Sequence, residues 1–518
     1  MADKRIPPLD LLFFLLERPR TPGHVGAVQI FQKPPGAPAN YMLDLVRSIK
    51  AAPVVPPFNY RPHFPRFGLP TWRVDDNLDI DYHVRHSALP QPGSDQQLLE
   101  VLQRLHCGML GRDRPGWISQ VIEGLEGDRF AIYSKIHHAY IDGMSGMKRM
   151  YGGLSASPKE TRVIPPWSFG SPPDGSSPTG IRNGNSLGKM AGTLLTQARA
   201  VIEVTGNFRK MGSEFLKSRP SGAQPLFHAP HTRMNDLVEH DTRAIALCTL
   251  PLDRARAIGE RAGGKLNDVM LSVIDGALHD YLEDKGENTT RPLVALCPMS
   301  IREEGDDSAT TQAIVLHVRL GEPGAGPLER LRQVVASSSA SKEEARAMSR
   351  DALHDFALIM AGVLTAADRT PLGRILSPSY NVLMSNVPGP REDILYLQGA
   401  RQLATYPISA FLPGGNLNIT VLSHGNKLDF GLVADKHAMP DVALVARAME
   451  YRFIELETAV LGRPSTAAGA RRKRKAPTAK KKKSPSKSRV GTKAKTGAKV
   501  VAGKRRGSLH RLPEKGSH

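Results

Sequence analysis

The chain is poor in cysteine, in aromatic residues and in long apolar runs. Its three cysteines among 518 residues, Cys107, Cys248 and Cys297, form no CxxC pair. This argues against a disulfide framework or a Cys-based zinc site and fits a reducing, intracellular setting. No HExxH helix is present either, so a metal-dependent hydrolase is not indicated, and the expectation is that no metal is bound. Near the start, the apolar run Leu11–Leu16 is six residues long and ends at Glu17, too short for the core of a secretory signal. The longest uncharged apolar stretch, Phe356 to Ala367, has 12 residues, short of the roughly 18–20 that a spanning helix needs. The expectation is a protein that does not cross a membrane.

Charge is abundant but unevenly placed. The net charge is +20, and residues 471–518 hold 19 Lys and Arg against the single Glu514. The other 470 residues carry 51 basic and 49 acidic groups. The globular part is therefore close to neutral, and the high isoelectric point says nothing about its substrate. The tail beyond Pro464 is rich in Lys, Arg, Ala, Ser, Pro, Thr and Gly, cannot bury enough apolar surface to offset its ordering entropy, and is expected to be disordered.

Several segments read as regular structure. Val25 to Phe31, Phe130 to Ile136, Ala244 to Leu250, Leu293 to Met299, Ile314 to Leu320, Asn416 to Ser423 and Lys427 to Val433 have strand composition. Helical spacing runs over Gln96–Leu110, over Leu252–Leu282 with a break at Gly263–Gly264, and over Val442–Leu461. A connector rich in Pro, Gly and Ser occupies Ser157–Gly188, and a basic amphipathic stretch follows to Leu216. That stretch reads as a crossover helix packed on its own domain, with an anionic membrane surface as the alternative. The pattern predicts a mixed α/β fold with a domain at 1–155, a connector at 156–240, a second domain at 241–464 and the basic tail at 465–518.

The stretch that carries chemistry is KIHHAYIDGMSG, Lys135 to Gly146. Two histidines end an apolar strand, and a strand that stops there would present an imidazole at the sheet edge, where a cleft can form. A neutral imidazole titrates near pH 6.5 and can take a proton from an alcohol. Asp142 can anchor the turn that follows, and Gly143 lets the chain bend there. Read without further context, such a pair is more often structural or half of a metal site than catalytic.

HHAYIDG resembles the HHxxxDG signature of CoA-dependent acyltransferases with the chloramphenicol-acetyltransferase-like fold. Within that group the chain is similar to the bacterial wax ester synthase/diacylglycerol acyltransferase family. The similarity rests on ordered blocks from Pro8 to Val460: LDLLFFLLERPRTPGHVGAVQIF, DYHVRHSALPQPG, LNDVMLSVIDGAL, CPMSIR, SNVPGP and NITVLSHGNKLDFGLVAD. The resemblance implies two acyltransferase-like domains joined by a crossover. It implies His138 as general base, His137 in support and Asp142 as an architectural residue. It implies substrate contacts from Asn267, Asp268, Gly143 and Trp117, with a helix N-cap as the alternative role for the Asn-Asp pair. No cofactor is implied; acyl-CoA is a co-substrate, and the acceptor is a diacylglycerol or a fatty alcohol. The chain departs from the family at Gly116, where Leu is usual, at Thr311-Gln312, and at His424.

Two other motifs carry less. Gly184 to Gly188 matches GxSxG around Ser186, but a nucleophile elbow needs a preceding buried strand, and a connector precedes it here. Gly259 to Lys265 has phosphate-loop spacing, with Leu266 in place of the Mg²⁺-binding Ser or Thr. An enzyme of the same fold working on polyketides is a second expectation. A protein that tethers nucleic acid through its basic tail, with a degenerate enzyme domain, is a third; the intact His138 and Asp142 argue against it. The expected location is cytoplasmic, peripheral to the inner face of the plasma membrane or to lipid droplets.

Overall fold

The computed structural model describes residues 4–170, 227–300, 313–347, 377–392 and 394–462. Thr311-Gln312, Phe356 to Ala367, Ser186 with its GxSxG motif, the basic amphipathic stretch and the tail lie outside the described residues. Met1–Ser465 forms one compact unit.

Two six-stranded sheets organise that unit. The first runs in the order Tyr396–Leu397, Ala400–Ile408, His24–Gln32, Arg129–His137, Trp117–Leu125, Val84–Ala88. The second runs Ala313–Arg319, Val294–Ser300, Val382–Pro388, Leu417–His424, Lys427–Asp435, Arg243–Pro251. Val, Ile, Leu, Phe and Ala make up most of their buried side chains, so hydrophobic burial drives both. Helices Leu252–Ala262, Leu266–Asp284 and Ala443–Leu461 cover the second sheet and share one core with it. Gly263 sits at φ 72° and ends the first of these helices, because a left-handed C-terminal residue is cheapest as glycine.

The strands expected from composition are present, each within two residues of its expected ends. The helix expected over Gln96–Leu110 instead ends at His106. Lys135 on the neighbouring strand explains this. Its buried Nζ donates to the carbonyls of Leu105 at 3.1 Å and of Cys107 and Gly108 at 2.8 Å. It therefore satisfies the carbonyls that another helical turn would have used. Burial pushes this ammonium down to about 8 from its usual 10.5.

Sheet membership does not follow the linear division at 155 and 241. Ala400–Ile408, from the second half of the chain, pairs antiparallel with His24–Gln32 in the first sheet. Gly431 allows the close approach this requires: a Cβ there would lie 1.6 Å from the Pro407 carbonyl oxygen. Asp429 fastens the contact, accepting from Thr405 N at 2.9 Å and from Thr249 Oγ1 at 2.7 Å. Val28, Ile30, Ile245, Ile408 and Val433 then share one buried cluster drawn from both sheets.

Candidate active site

The strand Arg129–His137 delivers the two histidines to the end of the first sheet. A 3₁₀ turn, His138–Tyr140, follows it, and then the helix Gly143–Gly152. Two main-chain bonds fix the turn: His137 N donates to Gly116 O and His138 N to Gly23 O, both at 2.8 Å. Asp142 caps the helix, its Oδ1 accepting from Ser145 N at 2.8 Å. This is the anchoring role expected of it. Gly143 is the first helical residue and is not among the glycines of positive φ. The bend therefore does not need glycine's special freedom, contrary to expectation.

The two imidazoles go different ways, because His137 ends the strand and His138 opens the turn. His138 faces a largely apolar cavity of about 440 Å³ that Ser134, Ile136, Asp142, Gly143, Met144 and Met147 also line. From the second sheet, Ser385, Asn386, Val387, Asn418 and Thr420 reach the same cavity. The site is thus shared between the two halves of the chain, with few polar groups among many apolar ones, as small-molecule sites usually are. His137 is buried and absent from the lining.

The N-terminal helix Pro8–Leu16 holds both rings. Phe13 stacks on His138 at 4.0 Å and 15°, and Phe14 stacks on His137 at 4.1 Å and 11°. Just beyond the helix, the Glu17 side chain is 1% exposed and lies 3.3 Å from His137 Nε2. The same carboxylate accepts from Gly23 N at 3.2 Å and from Arg112 Nη2 at 2.8 Å. Burial alone would raise the Glu17 carboxyl, but the His137 bond and charge, then Arg112 and Gly23, outweigh it and hold it below its usual value. His137 Nδ1 accepts from Ala139 N at 3.2 Å, so the ring proton belongs on Nε2, facing Glu17. Sequence reading missed Glu17 because its partner lies 120 positions away in the chain.

His138 is pushed down to about 4 from the usual 6.5, chiefly by burial and further by His137. A hydrogen bond to its own backbone carbonyl and the charge of Asp142 oppose this. An imidazole in this uncharged state keeps a lone pair on one ring nitrogen. An uncharged imidazole with a free lone pair at an apolar cavity can accept a proton from a bound hydroxyl.

The other expected substrate contacts lie elsewhere. Trp117 is a core residue: its Nε1 donates to Phe58 O at 2.8 Å, and its ring stacks on His83 and Trp167. Asn267 and Asp268 sit in the first turn of Leu266–Asp284, and neither lines the cavity. Asp268 Oδ2 accepts from Lys265 N at 2.8 Å, which is a helix-terminus role. Gly116 is also off the lining; a Cβ there would meet Tyr140 Cε2 at 2.9 Å and His137 Cβ at 3.2 Å. The Tyr140 ring fills the space that a larger residue would take. Among the described residues no group of three or more His, Cys, Asp or Glu is arranged to hold a metal ion.

The fold and the histidine site define an acyltransferase of the HHxxxDG type, and the comparisons with known proteins identify its family. Residues 6–270 match the wax ester synthase/diacylglycerol acyltransferase catalytic domain, and residues 311–457 match the WS/DGAT C-terminal domain. The chain belongs to the wax ester synthase/diacylglycerol acyltransferase family. It is 34% identical over 441 residues to the O-acyltransferase WSD of Acinetobacter baylyi, covering 84% of this chain and 92% of that protein. It is 34% identical over 461 residues to a Mycobacterium tuberculosis protein named "Probable diacyglycerol O-acyltransferase Tgs4", covering 88% and 96%. The solved wax ester synthase/diacylglycerol acyltransferase from Marinobacter aquaeolei VT8 matches with a TM-score of 0.70 at 29% identity, over 88% of this chain and 99% of that one. A condensation domain of the CDA synthetase shares the fold at 16% identity and a TM-score of 0.51, over 89% and 97%.

Proposed function

We propose that the enzyme moves a long-chain acyl group from acyl-CoA to the hydroxyl of a diacylglycerol, a fatty alcohol or both, with His138 as general base. The observation that carries this reading is the uncharged His138 imidazole on an apolar cavity that both halves of the chain line. His138 takes the hydroxyl proton as the oxygen attacks the thioester carbonyl. The C–S bond then breaks, and the thiolate of CoA leaves with that proton, so no covalent enzyme intermediate forms. The thioester is already activated, and the reaction draws on no cofactor beyond acyl-CoA itself. A positioned base contributes roughly 10²–10⁴ in rate; alignment in the cavity and stabilisation of the oxyanion supply the rest.

The test uses the purified full chain with palmitoyl-CoA and compares hexadecanol with dioleoylglycerol by CoA release and product analysis. Thiol release that requires an acceptor, with ester formed in equal amount, is expected. Release without ester, or no release with either acceptor, contradicts the reading.

We further propose peripheral attachment at the inner face of the plasma membrane or at lipid droplets. Residues 471–518 concentrate 19 basic side chains, each worth on the order of 1 kcal/mol near an anionic bilayer. Among the described residues no helix is long and apolar enough to cross a membrane. Truncation at Pro464 is expected to weaken attachment to anionic vesicles. Loss of DNA binding alone would mark the tail as a non-specific nucleic-acid tether instead.

A further inference from the structure

A small three-stranded sheet sits apart from the two large ones, in the order Lys4–Arg5, Thr71–Val74, Tyr60–His63. Segments 4–5 and 60–74 hold five cations, Lys4, Arg5, Arg61, Arg66 and Arg73, and no carboxylate. Register sorts the side chains by face. Lys4, Trp72 and Pro62 stand opposite one another on one side, while Arg5, Thr71 and His63 form a row on the other beside the facing pair Arg61 and Arg73. Trp72 turns inward, 4.8 Å from the Tyr140 ring and 5.7 Å from Phe14. The opposite face is therefore a basic one that looks away from the core.

The loop between the two hairpin strands carries the most exposed large apolar side chain described. Phe67 is 86% exposed and Phe64 37%, and Leu15 on the adjoining helix is 60% exposed. Arg66 lies 5.9 Å over the Phe67 ring, and Arg112 lies 5.1 Å over Phe64. Aromatic side chains projecting from a hairpin tip, ringed by guanidinium groups, match the depth profile of a lipid interface: rings at the headgroup level and cations at the phosphates.

The position of this tip is as telling as its composition. Phe64 contacts Phe14 at 5.6 Å, and Phe14 stacks on His137. Tyr140, in the histidine turn, donates from its hydroxyl to Tyr60 O at 2.9 Å in the hairpin. Phe13 and Leu16 of the same N-terminal helix line the cavity. One helix thus has the catalytic cavity against one side and the hairpin tip against another.

We propose that this hairpin face is the surface by which the enzyme seats itself on an anionic lipid layer. Phe64 and Phe67 enter the headgroup–acyl boundary while Arg5, Arg61 and Arg66 face lipid phosphates. Seating there brings the cavity beside the N-terminal helix to the layer in which a diacylglycerol or fatty alcohol resides. In this last respect the proposal rests on the lipid acceptor proposed above; the docking itself does not.

Full-length protein tests it, with flotation on phosphatidylcholine vesicles and on vesicles that also contain phosphatidylglycerol. The variants are Phe67→Ser and the double change Arg5→Gln with Arg66→Gln, all at exposed positions, and the tail is common to every sample. Phe67→Ser is expected to lower partition onto both kinds of vesicle by roughly five- to tenfold. The double arginine change is expected to cost about 25-fold, about fivefold per charge, on the anionic vesicles only, less as salt rises. Turnover of detergent-dispersed substrate and melting temperature should stay at wild-type values in all variants. Unchanged partition of both variants overturns the proposal. A raised KM for acyl-CoA in detergent with unchanged partition also overturns it, and assigns the arginines to CoA phosphates. Absence of turnover in the wild type would contradict the acyl-transfer reading while leaving the flotation result interpretable.

Discussion

Replacing Glu17 with alanine removes one carboxylate that three groups share: Gly23 N at 3.2 Å, Arg112 Nη2 at 2.8 Å and His137 Nε2 at 3.3 Å. Breaking a buried ion pair costs about 3–5 kcal/mol. Arg112 is half-exposed and can recover water, so about 2–3 kcal/mol is the expected loss. His137 keeps its stacking on Phe14 but loses the partner of its Nε2–H, and its backbone neighbour His138 is held less firmly. A misplacement on the scale of 1 Å costs up to about 10²-fold in rate, so kcat should fall by 10- to 100-fold with a smaller change in KM. Glu17→Gln keeps the shape without the charge and should lose less of both. The pH dependence separates this from a generic packing defect. The Glu17 carboxyl is held below its usual 4.5, so its contribution is present above that pH and disappears as pH falls through the lower folded value. The melting difference between wild type and Glu17→Ala should therefore be largest near neutrality and shrink well below pH 4.5. A difference that is constant across that range, or wild-type kcat in Glu17→Ala, refutes the reasoning.

Three further outcomes follow from the same geometry. Because His138 titrates near 4 rather than 6.5, the acid limb of kcat/KM should fall near pH 4; a limb at 6.5 would mean that the ring is solvated in the working enzyme. Stability should also decline from pH 6.5 toward 4, since the unfolded chain takes up that proton first. Asp142→Ala should lose about 1 kcal/mol through the missing cap on Ser145 N, read as a lower melting temperature, whereas Asp142→Asn should keep most of it. Gly116→Ala should cost about 1–3 kcal/mol by crowding Tyr140. Adding Tyr140→Ala should return part of that loss in a double-mutant cycle, and strict additivity would show that the two side chains do not compete for one space.

The sequence made the strands and the histidine turn legible for local reasons. Val25 to Phe31 and Phe130 to Ile136 are enriched in β-branched and aromatic residues, and both are paired strands in the first sheet. HHAYIDG carries its cap within itself, in Asp142. What stayed hidden depends on contacts far apart in the chain. The segment LDLLFFLLE shows a short apolar run, yet Phe13, Phe14 and Glu17 act only once folding brings them against residues 137 and 138. Ala400–Ile408 contains Gln402 and Pro407 and reads poorly as a strand; its place in the first sheet comes from pairing with His24–Gln32, far off in the chain, while Gly431 lets the second sheet approach its backbone. The resemblance alone could not separate a contact role from a core role for Trp117, or decide between a contact and the helix-terminus role for Asp268, because those differences lie in packing and capping that only the fold displays.

The central claim is that His138 is the base. The most direct measurement is CoA release by His138→Ala with palmitoyl-CoA and the preferred acceptor, beside melting of the same sample. His138 faces the cavity and shares no ion pair with Glu17, so the variant should melt close to wild type. Its kcat should fall by roughly 10²–10⁴, with no acid limb near pH 4 in what remains. Activity within a few-fold of wild type from a folded His138→Ala protein would contradict the assignment.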